Sequence, residues 1–300
     1  MSVTSAPRAV RSRARRRPLI LAALVLPSIL LLVLVTAYPL VYAAGQSLRD
    51  GSLIDAGSFV GLANYQAVLT SDEFWRACRF TLVFTVVGVG GSWVIGLALA
   101  LLLRDAVPGR SIFRVLLMLP WVVPVVVSSM AWNWLVATPQ SPIPATLSAL
   151  GIDAPAFLAD PVLAAVTVCV FKVWISFPFM MLMTSAALAS VDGTVYEAAS
   201  MDGAGPFRQL RSITLPIIAR PTYVSWILMT IFCINDFPTI YLLTGGGPID
   251  ATTSLIVLAY RAVFQDFQVG QGVSIAFLST LAMIAVSLIL FRQIRKAESA

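Results

Sequence analysis

The sequence predicts an all-α polytopic membrane protein with six transmembrane helices. Of its 300 residues, 59% are apolar and 11% are charged, whereas soluble domains are about 25% charged. The mean hydropathy is +0.90. A bilayer core of about 30 Å takes about 20 apolar residues as helix, and several charge-poor runs reach that length. A water-soluble fold is therefore excluded.

Six apolar runs are the candidate spans. The first run is too long for the apolar region of a cleavable signal peptide, and no small-residue cleavage site ends it. We therefore expect an uncleaved first span. The predicted spans are 19–44, 80–103, 115–138, 162–189, 217–243 and 273–291. Together they predict a membrane domain over 19–293, between a basic tail, 1–18, and a second tail, 294–300.

The lysines and arginines predict the orientation. Fifteen of the 20 lie in the N-terminal tail, the loops after the second and fourth spans, the start of the fifth span, and the C-terminal end. Four lie in the other loops, and Lys172 lies inside a span. Because basic residues accumulate on the cytoplasmic side, both termini are predicted to be cytoplasmic. The net charge of +6 then reflects topology and contact with anionic lipid, and no nucleic-acid partner is predicted.

Motifs for catalysis are missing from the sequence. It contains no histidine, and its three cysteines are far apart and show no metal-binding spacing. No phosphate-binding GxxxxGK[ST] segment, HExxH or GxSxG is present. We therefore predict no enzyme and no metal site. Prolines inside the spans break the backbone ladder where a cavity can satisfy it, and this favours a transport path: Pro27, Pro39, Pro120, Pro124, Pro178 and Pro238.

The loop 190–216, between the fourth and fifth spans, is polar and rich in small residues. Thr194 and Glu197 fit a capping box, which predicts a short helix from about 195 to 202 that ends at Gly203. The segment is either an ordinary connector or a docking element. The spacing favours docking, because the loop reads Glu197-Ala198-Ala199, then Gly203, then Ile213-x-Leu215-Pro216.

This pattern resembles the EAA loop of binding-protein-dependent ABC importer permeases, which have the type I permease fold. The resemblance implies that the short helix couples the spans to a separate ATPase, which uses the ATP and Mg; no cofactor is expected on this chain. In that family the glutamate matching Glu197 faces the ATPase, and the glycine matching Gly203 turns the chain. The implied coupling residues are Tyr196, Glu197, Ala198, Ala199, Asp202 and Gly203.

Three further segments resemble sugar and glycerol-phosphate permeases, the type that includes the larger permease subunit of maltose transporters. They are 59–65 (FVGLANY), 119–124 (LPWVVP) and 241–248 (YLLTGGGP). The resemblance implies import of a sugar or related polyol across a bacterial plasma membrane. It also implies a second, homologous permease, two ATPase subunits and an extracytoplasmic binding protein, for which the outer loop 45–79, with Phe74 and Trp75 at the interface, is a candidate contact.

Lys172 and Asp236 are charges inside predicted spans, at similar depth. Each costs about 2.5–3.5 kcal/mol at the centre of a bilayer. They either form a structural ion pair or face a polar cavity that meets sugar hydroxyls.

The resemblance favours the cavity and implies seven substrate contacts: Trp121, Lys172, Ser176, Phe179, Met229, Cys233 and Asp236. The helical period places Lys172, Ser176 and Phe179 on one helical face. By the same period Met229, Cys233 and Asp236 share a face of the next span. Asn235 is expected to point about 100° away.

Lys172, Cys233 and Asp236 stand where the family relative has neutral amides, so an amino sugar, a phosphate sugar or another polyol stays open as the substrate. Two other classes also stay open at this point. An ion-coupled secondary transporter would use the Lys172–Asp236 pair, but such proteins show repeated halves, and the sequence shows no clear repeat. A membrane scaffold would have no need of intramembrane charges.

Overall fold

The computed structural model describes residues 10–55, 57–104 and 108–298, with side chains described from residue 23 to 294. Helices joined by turns and loops make up this part of the chain, and its β structure is limited to one isolated bridge between Arg49 and Phe59. The helices are α1 (Val10–Ser47), α2 (Ala63–Thr70), α3 (Asp72–Leu102), α4 (Arg110–Val122), α5 (Val125–Val136), α6 (Pro142–Ala149), α7 (Pro161–Ala189), α8 (Gly193–Met201), α9 (Pro206–Gln209), α10 (Leu215–Ile217), α11 (Ala219–Ile234), α12 (Phe237–Thr244), α13 (Leu255–Phe264) and α14 (Val269–Glu298).

Among the described residues, four helices are long and apolar enough to cross a membrane: α1, α3, α7 and α14. Two bent pairs raise the number to six when each pair counts as one span. One pair is α4 with α5, and the other joins the segment Pro206–Ile217 to α11. The predicted number of six spans is confirmed in this sense.

The third predicted span, 115–138, is not one straight helix. The chain bends by 90° between α4 and α5, where Val123 and Pro124 have extended backbone. Proline removes a backbone donor and disfavours helix at the residue before it. Each half is too short to cross the bilayer, because 13 residues of α4 span about 20 Å.

The fifth predicted span, 217–243, is also interrupted. Helix α11 ends at Ile234, and Asp236 becomes the N-cap of α12. The expectation that Met229, Cys233 and Asp236 share one continuous helical face is therefore wrong. The break has a local cause: the Asp236 carboxylate accepts a hydrogen bond from the Thr239 amide, and Pro238 fits the first turn of the new helix.

Helices α3 and α7 form the centre of the packed core. A Cβ on Gly96 would lie 2.6 Å from the Met181 amide nitrogen, and one on Gly91 would lie 2.7 Å from Val173 Cγ2. These glycines therefore let the two backbones approach closely. A Cβ on Gly88 would likewise lie 3.1 Å from Lys172 Cγ, whereas a Cβ on Gly90 would meet nothing within 4 Å.

Helix α1 lies at the edge and packs against α14, with none of its apolar stretch buried. Its last residue, Ser47, is held by the loop that follows: Asn64 Nδ2 donates to the carbonyls of Ser47 and Arg49 at 2.9 and 2.8 Å. In the same region Phe74 is buried, 5% exposed, in a core cluster, which corrects its predicted interfacial position. Trp75 is 52% exposed.

The predicted tails differ from the helix bounds. Helix α1 begins at Val10, within the predicted basic tail 1–18, and α14 continues through Glu298, into the predicted tail 294–300. Residues 1–9, 299 and 300 lie outside the described part of the chain, as do the side chains of 10–22 and 295–298.

Candidate functional site

A cavity of about 360 Å³ lies between α7, the break between α11 and α12, and the bend between α4 and α5. Five of the seven predicted substrate residues line it: Trp121, Lys172, Ser176, Met229 and Asp236. The two helix breaks expose polar side chains and free backbone groups within the membrane-spanning segments. An unbroken apolar helix offers no such groups. The volume lies at the lower end of the range for small-molecule sites.

Lys172 and Asp236 line the cavity and also bind each other. Lys172 Nζ lies 2.6 Å from Asp236 Oδ2, and the two side chains are 6% and 9% exposed. The other carboxylate oxygen, Oδ1, accepts from the Thr239 amide at 3.1 Å. The charges are thus neutralised inside the protein, as a buried pair requires. The ion pair is therefore present and both of its members also line the cavity, whereas their contact with sugar hydroxyls stays a prediction.

Two buried hydroxyls in the cavity wall lack hydrogen-bond partners among the described residues. They belong to Ser176 and Thr239, each 1% exposed and both lining the cavity. A buried hydroxyl without a partner costs free energy, and a ligand rich in hydroxyl groups can relieve that cost. Thr239 was not predicted, because the helix break that presents it was not.

Aromatic rings form one rim of the cavity. Trp121 stacks on Phe179 with ring centroids 5.2 Å apart and an interplanar angle of 22°. Phe232 packs edge-on against Phe179 at 6.0 Å. Trp121 and Phe232 line the cavity and are 44% and 46% exposed, whereas Phe179 lies behind Trp121. Phe179 therefore supports the predicted aromatic contact and is not itself in the wall.

Cys233 and Asn235 differ from the expectation. Cys233 is 2% exposed and faces α3, since a Cβ on Gly88 would lie 3.0 Å from its sulfur. Asn235 lines the cavity, although the helical period places it away from the other residues. The reason is the end of α11 at Ile234, after which the 100° rotation per residue no longer applies. Within the described residues no group of three His, Cys, Asp or Glu side chains could hold a metal ion.

A second site is the short helix α8, Gly193–Met201. The predicted Thr194 cap is wrong: Asp192 is the N-cap, and its carboxylate accepts from the Thr194 amide at 3.0 Å. This hydrogen bond lowers the pKa of Asp192 below its ordinary value. Gly203 has φ +75°, a left-handed conformation that favours glycine, and it turns the chain out of the helix as predicted.

The predicted coupling residues divide into two groups. Glu197, Ala198 and Asp202 are exposed and Ala199 is half-buried. Tyr196 faces the opposite way: its hydroxyl lies 3.0 Å from Thr214 Oγ1. The Arg104 guanidinium sits 3.9 Å from the centre of the Tyr196 ring. Tyr196 therefore fixes α8 to the end of α3, while the exposed group is available to another protein.

Sequence comparison identifies the family of the chain. The model of the "Binding-protein-dependent transport system inner membrane component" family matches residues 6–298. The chain is 37% identical over 228 residues to the trehalose/maltose transport system permease protein MalF of Thermococcus litoralis, covering 76% of this chain and 77% of that one. It is 36% identical over 267 residues to the trehalose transport system permease protein SugA of Mycobacterium tuberculosis, covering 87% and 85%.

The fold also matches a solved structure. A chain of a bacterial ABC transporter involved in the import of the acidic polysaccharide alginate superposes with a TM-score of 0.82 at 19% identity. The match covers 95% of the present chain and 98% of that one. The helix breaks and the cavity thus lie within the fold of a type I importer permease.

Proposed function

The chain belongs to the family of binding-protein-dependent transport system inner membrane components, and we propose that it forms one half of the path through which an ATP-driven importer moves a sugar or related polyol. It is a membrane-spanning permease and not an enzyme. Family membership decides against the ion-coupled transporter and the scaffold that the sequence left open. The relatives with trehalose and maltose in their names support a sugar as the substrate.

The observation that carries the proposal is the exposure of α8. Glu197 and Ala198 are exposed, and apolar side chains beside them are uncovered: Val195 is 39% exposed, Met201 90% and Phe207 74%. Exposed apolar groups of this kind mark interaction sites. We assign this surface to a separate ATPase subunit, which holds the ATP and Mg. Two such subunits would serve the two permeases of one importer.

The cavity around Lys172 supplies the substrate path. Ser176 and Thr239 offer hydroxyl groups without partners, which suit the alternating donors and acceptors of a sugar. Trp121 offers an aromatic face for a sugar ring. Trp121 and Phe232 are both exposed at the rim of the cavity. We place the second permease against this rim. Lys172 and Asp236 then meet substrate hydroxyls while they neutralise each other.

On the opposite side of the membrane we place the binding protein. The distribution of arginines supports a bacterial plasma-membrane location with α8 and both termini in the cytoplasm. Delivery by a binding protein then requires outer loops that it can contact. The candidates are 45–79 and the loop between α12 and α13.

The test is purification of the complex from native membranes through a tag on this chain. Wild type should retain an ATPase subunit, and Glu197→Lys or Gly203→Val should lose it at least tenfold. Asp153→Lys is the matched control, because it reverses an exposed charge in the loop before α7. In proteoliposomes, labelled sugar should accumulate only with internal ATP. Uptake driven by an ion gradient without nucleotide would overturn the proposal.

A further inference from the structure

A second cavity, of about 560 Å³, lies where the ends of α3, α4 and α7 meet. Its charged lining residues are Arg104, Arg110 and Arg114, and no described lining residue is acidic. It is on the same side of the protein as α8, because Arg104 also contacts Tyr196. The substrate cavity is lined by other residues, so this is a separate site.

One of the three arginines has a guanidinium nitrogen that the described residues leave without a partner. Arg110 Nε is buried and has no hydrogen-bond partner among the described residues. Arg110 is also the first residue of α4, whose N-cap, Gly109, supplies no side-chain acceptor. The amide hydrogens and the dipole at that helix end favour an anion. An anion in the cavity would satisfy the helix end and the guanidinium groups together, and phosphate oxygens match guanidinium donors in geometry.

Apart from Ser185, the remaining walls are apolar. Met118, Met181, Leu182 and Leu188 line the cavity, and Leu182 is 54% exposed. On α4, Phe113 and Leu116 are 52% and 53% exposed. A ligand with a phosphate at one end and hydrocarbon at the other fits this arrangement better than a free anion does. Basic pockets between helices at the cytoplasmic surface are a known form of lipid headgroup site.

We propose that the cavity lined by Arg104, Arg110 and Arg114 binds the phosphate of an anionic phospholipid from the cytoplasmic leaflet. Arg104 links this site to α8, since its guanidinium stacks on the Tyr196 ring at 3.9 Å and also lines the lipid cavity. A bound phosphate therefore fixes Arg104, and through Arg104 it fixes the position of α8. This second step, control of coupling by lipid, rests on the proposed function of α8, whereas lipid binding does not.

The first experiment measures lipid retained by the tagged, purified protein, using native mass spectrometry after reconstitution with phosphatidylcholine and phosphatidylglycerol. Each basic residue near an anionic surface accounts for about a fivefold change in binding. The double variant Arg110→Gln/Arg114→Gln should therefore retain phosphatidylglycerol about 25-fold less strongly than wild type. Arg292→Gln is the matched control, because it removes an exposed charge on α14 outside the cavity; it should retain lipid like wild type.

Equal retention by wild type and the double variant would overturn the proposal. So would displacement of the lipid by millimolar inorganic phosphate with no loss of function, because the site would then belong to a free anion. In a second measurement, phosphatidylglycerol should raise the ATPase activity of the wild-type complex at least threefold. Tyr196→Leu should keep the lipid and lose that stimulation. If no ATPase copurifies but the double variant still loses lipid, the proposed function fails and the lipid site stands.

Discussion

Lys172 and Asp236 lie 64 residues apart in sequence and are joined by an ion pair of 2.6 Å. The pair connects the middle of α7 to the point where α11 ends and α12 begins. It therefore fixes the geometry of the helix break as well as lining the cavity. Removing one partner of a buried pair leaves the other charge uncompensated, at a cost of about 3–5 kcal/mol.

We expect Lys172→Met alone to lower the stability of the protein in detergent by about 3–5 kcal/mol and to abolish sugar uptake. The double variant Lys172→Met/Asp236→Asn should recover most of the stability, because no lone charge remains and asparagine can still cap α12. If the pair contacts substrate, uptake by the double variant stays lost. Thermal unfolding and uptake in proteoliposomes measure the two effects separately. Full uptake by the double variant would assign the pair a structural role only.

Exchange of the two charges tests whether the ion pair alone is enough for transport. In Lys172→Asp/Asp236→Lys the attraction is restored, but each charge stands at the other position. We expect less than a tenth of wild-type uptake, because a substrate would meet reversed polarity. Restored uptake would favour the ion pair over direct recognition. ATP hydrolysis by the assembled complex is the control for folding and should persist.

Close packing of α3 on α7 predicts different changes in stability when alanine replaces each of two glycines of α3. A methyl group on Gly96 would meet the backbone at Met180 and Met181 within 2.8 Å, and we expect Gly96→Ala to cost about 1–3 kcal/mol of stability by overpacking. Gly90 has open space, so Gly90→Ala should be neutral, or stabilising by up to about 1 kcal/mol through helix propensity. Unfolding of the two purified variants measures this, and similar values for both would contradict the packing described.

The cap of α8 can be tested by hydrogen exchange. Asp192→Ala should raise the exchange of the first amides of α8, whereas Asp192→Asn, which keeps the acceptor, and Thr194→Ala should not. The pKa of Asp192 is lowered, so the cap is complete above the ordinary pKa of an aspartate and is lost only as the pH falls through the lowered value. Exchange in wild type should therefore follow the same protection pattern at pH 6 and pH 8. Faster exchange in Thr194→Ala than in Asp192→Ala would instead support the capping box that the sequence predicts at Thr194.

The loop after α12 presents Ile249, which is 91% exposed with φ +49°. A β-branched residue is strained in that conformation, and strain of this kind persists where its surroundings enforce it. Here Arg261 bonds Asp250 at 2.5 Å and the Gly245 carbonyl at 2.6 Å. We expect Ile249→Asn, which tolerates the backbone, to weaken docking of the binding protein about thirtyfold.

Docking of the labelled binding protein to the reconstituted complex measures this effect. Ile54→Asn is the comparison, since Ile54 is 98% exposed in the other candidate loop, 45–79. A larger effect at Ile54 would assign docking to that loop.

Much of this architecture is readable in the sequence, for identifiable reasons. The number of spans follows from hydropathy, and the proximity of Lys172 and Asp236 follows from the cost of lone charges in a membrane. The two helix breaks give only a weak signal in the sequence, because apolar residues flank them on both sides. Asp236 followed by Pro238 is a helix-start signal that marks the break between α11 and α12. It lies within an apolar run long enough to cross the membrane, and the length of that run predicts one continuous helix. Once that break is missed, Asn235 is assigned to the wrong face and Cys233 to the cavity.

Helix α1 touches the rest of the described chain mainly through α14 and is anchored at its C-terminal end, where Ser47 and Asn64 meet. Its apolar stretch buries no side chains against the rest of this chain, so contacts within the chain place little constraint on its sequence. Exchange of one apolar residue for another along this stretch should therefore leave the folding of the remaining helices unchanged. Spectroscopic labels on this helix can then report its surroundings, lipid or a second permease, with little disturbance to the packing of α3 on α7.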